Sequence, residues 1–84
     1  MQFNSLRYWL IGGEDCHLCD DASALLETSL PIHIMNEIAY VDVKSSTELY
    51  HHFAVKIPVI YDTKANRFMT WPFGKEDIKR FFKL

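Results

Sequence analysis

The sequence predicts an α/β protein whose elements run β-α-β-α-β-β-α, and three observations carry that prediction. Short apolar runs rich in β-branched and aromatic residues alternate with longer stretches in which apolar residues recur every three or four positions. Near the C-terminus two such short runs are separated only by the polar segment TKAN (63–66), the pattern of an antiparallel hairpin. Glycine, proline and a capping sequence fall at the joints between runs.

Taken in order, LRYWLI (6–11) reads as a buried strand closed by the turn Gly12-Gly13. From Asp15 the period changes. Leu18, Ala22, Leu25, Leu26 and then Ser29 or Leu30 recur at three and four, with Asp20, Asp21 and Glu27 elsewhere, which predicts an amphipathic helix that Pro31 stops. His33 sits in an irregular stretch beyond it. IAYVDV (38–43) is a second strand, and SSTE (45–48) offers a capping box, Ser45 bonding forward and Glu48 back, to start a helix over ELYHHFAV (48–55). IPVIYD (57–62) and RFMTW (67–71) form the hairpin. After Pro72-Phe73-Gly74 a last helix carries Ile78, Phe81 and Phe82 on one face. Trp9 and Trp71 join Phe81 and Phe82 as expected core residues.

An 84-residue chain fits one domain, 1–84, and buries a smaller fraction of its surface than a longer chain does, so every element must contribute to the core. With 49% hydrophobic and 24% charged residues it has the balance of a globular domain and not of a disordered tail. A formal charge of -2 with no basic block removes the electrostatic footprint of a nucleic-acid or anionic-membrane binder. The run YWLIGG is too short for a membrane span or a signal-peptide core. A cytoplasmic monomer is expected.

Cys16 and Cys19 are the only cysteines. A bridge between them would close a loop of only a few residues and remove little entropy from the unfolded chain, so stapling the fold is a poor account of the pair. A single C-x-x-C beside an α/β pattern reads as redox. The attacking species in disulfide exchange is a thiolate, which needs a setting that stabilises negative charge. The start of the predicted helix supplies one, with orphan amides and a dipole worth roughly 0.3 to 1 kcal/mol at an exposed site. Since one pKa unit is about 1.4 kcal/mol, hydrogen bonds to the sulfur must add to the dipole. Cys16, at the mouth of the helix, is therefore the expected nucleophile, and Cys19, one turn further in, the resolving thiol.

His17, when protonated, would favour the Cys16 thiolate, whereas Glu14, Asp15, Asp20 and Asp21 disfavour a second anion, so a moderate lowering of the thiol pKa is expected. Acidic residues also belong in a helix's first turn for reasons of stability alone. His51 and His52, adjacent on a helix, point to different faces, and they and His33 read as solvated or satisfied side chains. A closed zinc site needs four ligands, and no second ligand pair accompanies Cys16, His17 and Cys19, so no metal ligands are assigned. Two other readings stand beside the redox one. The first is zinc or an iron–sulfur cluster, shared between two chains; the second is an interaction module that kept a fold and lost its chemistry.

CHLCDDA (16–22), KIPVIYD (56–62) and WPFGKEDI (71–78) together resemble the glutaredoxin-like proteins of the thioredoxin-fold superfamily, over nearly the whole chain. The resemblance implies a thioredoxin-like fold, a single mixed sheet flanked by helices, and a thiol-disulfide oxidoreductase. It also implies a cis Ile57–Pro58 bond facing the thiols, with Ile57 and Pro58 binding an extended substrate backbone. Read alone, a proline at the start of a strand is simply permitted there. Typical glutaredoxins hold glutathione with Pro-Tyr between the cysteines, an upstream lysine or arginine and a Gly-Gly turn plus acidic residue before the last helix. Here those places read His17-Leu18, GGED and PFGKED. Asp77 or Glu76 is left for the glutathione amine, and Lys56 or Lys75 for its carboxylates. The expectation is therefore no tightly bound cofactor, glutathione as a poor co-substrate, and a disulfide-containing protein or small thiol as partner.

Overall fold

The computed structural model describes residues 6–84. Its elements are β1 (Tyr8–Gly12), α1 (His17–Ser29), α2 (Ile32–Met35), β2 (Ile38–Asp42), a 3-10 turn (Val43–Ser45), α3 (Thr47–Phe53), β3 (Val59–Asp62), β4 (Arg67–Thr70) and α4 (Lys75–Phe81). The four strands form one mixed sheet in the order β2-β1-β3-β4. β1 pairs parallel to β2, from Tyr8 opposite Ile38 to Gly12 opposite Asp42. β1 pairs antiparallel to β3, and β3 to β4, in the expected hairpin.

β1 is central and its alternate side chains serve two cores. Tyr8 and Leu10 pack with Ala22, Leu26 and Leu30 of the α1 segment, Ile60 of β3, and Ile78, Phe81 and Phe82 at α4. Ile11 turns to the opposite face with Ala39, Val41, Val43, Val59 and Phe53 of α3, and Trp9 packs against that cluster half-buried. α1 and α4 thus cover one face of the sheet and α3 the other. Ile11, Leu26, Ile60 and Ile78 lose essentially all solvent contact, each worth about 1.5–3 kcal/mol of hydrophobic stabilisation.

The expected element order is found, with differences at the joints. The four-residue α2 occupies the stretch that reads as irregular, too short to show a helical period, and it places His33 on an exposed helical turn. Leu18 does not join the core. The α1 face that meets the sheet runs through Cys19, Ala22 and Leu26, which leaves Leu18 48% exposed. The helix α3 is capped by Ser46, not Ser45: the Leu49 amide donates to the Ser46 hydroxyl at 3.2 Å. Ser45 is engaged in the preceding turn, donating to the Asp42 carbonyl at 2.6 Å. The residue three past Ser46 is Leu49, which has no carboxylate to return to the cap.

At the end of the sheet where β1 begins, Arg7 meets Asp62 through two parallel bonds, Nε to Oδ1 and Nη2 to Oδ2, both 2.9 Å. Oδ1 of Asp62 also accepts from the Lys64 and Ala65 amides, and Asn66 adopts φ 55 to close the hairpin turn. Asp62 is wholly buried, which is tolerable for a carboxylate only with this degree of satisfaction. The hydrogen bonds from Arg7, outweighing the opposing effect of burial, hold its pKa down to about 2.

Candidate redox site

The opposite end of the sheet gathers the residues of the C-x-x-C segment. Leaving β1 at Gly12, the chain passes Gly13 and Glu14 and turns at Asp15, whose φ of 54 is a left-handed conformation that aspartate tolerates better than most residues. The turn delivers Cys16 in extended geometry (φ -108, ψ 95) as the N-cap of α1. Its sulfur accepts a hydrogen bond from the Cys19 amide at 3.1 Å, and its carbonyl accepts from the Cys19 and Asp20 amides. A cysteine therefore fills the place that serine, threonine or aspartate usually takes, satisfying one of the orphan donors of the first turn.

The two sulfurs lie 2.17 Å apart, at disulfide distance, on α-carbons separated by 5.2 Å. Their surroundings differ. Cys16 is half-buried at the rim, whereas Cys19 is 1% exposed beneath it. His17 begins the helix and points to solvent, as do Glu14, Asp15, Asp20 and Asp21, so the acidic side chains surround the rim without burying their charge.

Of the other sequence-predicted site residues, Ile57 comes next to this loop. A β-carbon placed on Gly13 would lie 3.2 Å from Ile57 Cδ1, so Gly13 gives the isoleucine room. Pro58 is buried, its bond to Ile57 is cis, and its carbonyl accepts from the Trp71 amide at 3.1 Å. The Trp71–Pro72 bond is also cis, and the Trp71 ring meets Phe73 edge-on. Asp77 is occupied. Its Oδ2 accepts from the Gly74 amide at 2.7 Å, capping α4, and its Oδ1 accepts from Arg80 at 2.7 Å. Lys75 is an exposed residue in the first turn of the same helix, and Lys56 reaches toward the Phe68 ring. His51 and His52 stand exposed on α3, on the other face of the sheet.

Tyr40 is a neighbour that the sequence reading passes over. Standing opposite Leu10 on β2, it leans over Gly12, where an added β-carbon would collide with its hydroxyl and lie 3.0 Å from Cys19 Sγ. The hydroxyl donates to the Gly13 carbonyl at 3.4 Å. Burial, reinforced by the charges of Asp20 and Asp42, raises its pKa above the ordinary tyrosine value. The alternation of IAYVDV, with Ile38, Tyr40 and Asp42 on one face, is the pattern that assigns Tyr40 to the side of α1.

A groove of about 540 Å³ lies on the α3 face, between Trp9, Leu49, Phe53, Tyr61 and Phe68. It includes neither cysteine, nor Ile57 or Pro58. Among the described residues no group of three or more His, Cys, Asp or Glu side chains is placed to hold a metal ion, and no helix is long and apolar enough to cross a membrane.

Two solved structures share the architecture. The X-ray structure of protein XcR50 from X. campestris superposes with a TM-score of 0.72 at 23% identity, covering 90% of this chain and 95% of that one. The solution structure of Ne2328 from Nitrosomonas europaea gives 0.69 at 15% identity, covering 96% and 95%. These likenesses speak for the fold. No curated protein matches the chain. The family described as Glutaredoxin-like domain (DUF836) matches residues 8–83, nearly the whole chain and the whole of the sheet and the C-x-x-C helix. With its thioredoxin-like architecture and a cysteine pair at disulfide distance, the chain belongs to the glutaredoxin-like domain family.

Proposed function

We propose that the protein is a dithiol thiol-disulfide oxidoreductase that exchanges with protein or small-molecule disulfides. The observation that carries this reading is the asymmetry of the pair: the rim sulfur of Cys16 takes the first-turn amide of α1, while Cys19 is buried one turn behind it. In the reduced protein the Cys16 thiolate attacks one sulfur of a substrate disulfide. A Cys16–substrate bond forms, the substrate S–S bond breaks, and the second substrate sulfur leaves as a thiolate that takes a proton from water. Cys19, after losing its proton, attacks the Cys16 sulfur. The internal disulfide forms and the remaining substrate sulfur departs as a thiolate. Two electrons pass from the dithiol to the substrate, and the reverse sequence recharges the protein from a dithiol donor.

Ile57 and Pro58 are assigned the docking of the substrate backbone, on the strength of the contact between Ile57 and the Gly13 loop. His17 tunes the charge at the rim. Glutathione is proposed as a poor co-substrate, because Asp77 is already committed to the Gly74 amide and to Arg80, and the acidic rim repels its two carboxylates.

Two assays run side by side test the reading: reduction of a protein disulfide with a dithiol donor, and reduction of a glutathionylated peptide with glutathione. The expected result is turnover in the first that is lost in both Cys16→Ser and Cys19→Ser. Strong, saturable glutathione turnover that survives Cys19→Ser denotes a monothiol mechanism and overturns it, as does inactivity of the wild type in the first assay.

A further inference from the structure

The exchange described above twice requires a charged sulfur at Cys19, once when its thiolate is released by attack on Cys16 and once when it attacks in return. A thiolate taken out of water and left without a donor is strongly disfavoured, and Cys19 is 1% exposed. The amide of Cys19 itself is directed to the Cys16 sulfur. A donor for the buried sulfur can come from another element.

Tyr40 of β2 comes close to that sulfur. Its hydroxyl oxygen and the Cys19 sulfur both lie within 3.0 Å of a single point, the position a β-carbon on Gly12 would take. Glycine at position 12 is what leaves this space open. A side chain there would collide with the tyrosine hydroxyl and with Cζ, 2.9 Å away, and press on the sulfur. The present partner of the hydroxyl, the Gly13 carbonyl, is 3.4 Å away, beyond the usual 2.5–3.0 Å of an O–H···O bond. Such a loose bond is readily exchanged for one to an anionic sulfur, which is the stronger acceptor.

We propose that the Tyr40 hydroxyl serves the exchange by donating a hydrogen bond to Cys19 whenever that sulfur carries a negative charge. The inference rests on the dithiol function proposed above. The tyrosine keeps its own proton. Burial together with Asp20 on α1 and Asp42 on β2 raises its pKa, so the group remains a donor through the pH range in which thiols ionise, and the proton gained or lost by Cys19 is exchanged with water. In substrate reduction its action falls on the resolving step, and in recharging on the step that releases Cys19, whereas the Cys16 sulfur has its own donor in the Cys19 amide.

The test is Tyr40→Phe, which removes one oxygen from a largely exposed side chain. In the Cys16→Ser background, the pH titration of the Cys19 13Cβ chemical shift reads the thiol directly. Loss of a hydrogen bond to a charged group should raise the midpoint by about one unit. In the otherwise wild-type protein, single-turnover release of a mixed disulfide formed at Cys16 should slow roughly ten-fold, with the rate of its formation unchanged. As an independent variant, 3-fluorotyrosine at position 40 preserves the ring, strengthens the donor and should move the Cys19 midpoint downward. An unchanged midpoint in both variants overturns the proposal, and equal slowing of formation and release assigns Tyr40 a merely structural role and overturns it as well. If the wild type performs no exchange, the dithiol reading fails, while the Cys19 midpoint in Cys16→Ser still decides whether the contact exists.

Discussion

Replacing Cys16 by alanine or by serine should separate the role of its side chain in the helix from its role in the disulfide. Both variants lose the same bridge and leave the same free Cys19, so their difference isolates the cap. In the structure the Cys19 amide donates to the residue-16 side chain at 3.1 Å, from an N-cap residue in extended conformation. Serine can accept that bond and alanine cannot. Removing an N-cap acceptor costs about 0.5–2 kcal/mol, typically about 1, and α1 packs directly on the main core through Ala22 and Leu26, so the loss of helix stability is transmitted to the whole fold. Cys16→Ala should therefore be less stable than Cys16→Ser by about 1 kcal/mol. For a domain of this size that is a difference of about 4–8 °C in melting temperature, or about 0.3–1 M in urea midpoint. Parallel urea titrations followed by far-ultraviolet circular dichroism, both under reducing conditions, make the comparison. Equal midpoints, or a more stable alanine variant, would refute the argument that the sulfur caps the helix. They would also weaken the chemistry, because the same amide is the donor asked to stabilise the thiolate.

Three further outcomes are expected. Asp62 has a depressed pKa of about 2 against an ordinary 3.8, so the stability it contributes is fully present above about pH 4 and is lost as pH falls toward 2. The amount is on the order of 1–2 kcal/mol after allowance for solvent on the Arg7 side, and acid unfolding of Asp62→Asn should lack this component. Asp15→Asn keeps a residue type suited to the left-handed turn and removes one rim charge. Alkylation of Cys16 in the Cys19→Ser background should quicken roughly two- to three-fold near neutral pH. Asp77→Ala removes the acceptor of the Gly74 amide and should lower the urea midpoint by the equivalent of about 1 kcal/mol, while leaving glutathione turnover no worse.

How much of this was legible in the sequence differs between elements for physical reasons. The strands and the two long amphipathic patterns announce themselves because a period of two or 3.6 is imposed by the face each must bury, and Ile78, Phe81 and Phe82 do all face the core. The pair Cys16 and Cys19 is equally plain, since its spacing and its place after a strand are local. What local pattern cannot supply is which of several neighbouring side chains a joint employs. Two serines precede α3, and the choice of Ser46 follows from the 3-10 turn that engages Ser45 with the Asp42 carbonyl. Leu18 fits the apolar count of α1 but lies 48% exposed, because the face of the helix that meets the sheet runs through Cys19, Ala22 and Leu26. Tyr40 is further from reach, for its relation to the cysteines depends on the parallel register of β1 and β2 and on the missing side chain of Gly12.

The topology explains why the cysteine pair and its neighbours collect at one end of the sheet. Parallel pairing brings the C-terminal ends of β1 and β2 together, and antiparallel pairing sets the start of β3 and the end of β4 beside them. Cys16, Tyr40, Ile57–Pro58 and Trp71 come from four separate stretches of chain, yet all follow from that one arrangement. The opposite edge holds the Arg7–Asp62 pair, whose register partner across β1 is Tyr8. A buried carboxylate and a thiolate disfavour each other at short range, and here the length of β1 separates them. The ion pair can thus secure the sheet without adding negative charge to the thiols, and the glycine-lined end is left to the cysteine pair, whose Cys16 sulfur accepts from the Cys19 amide.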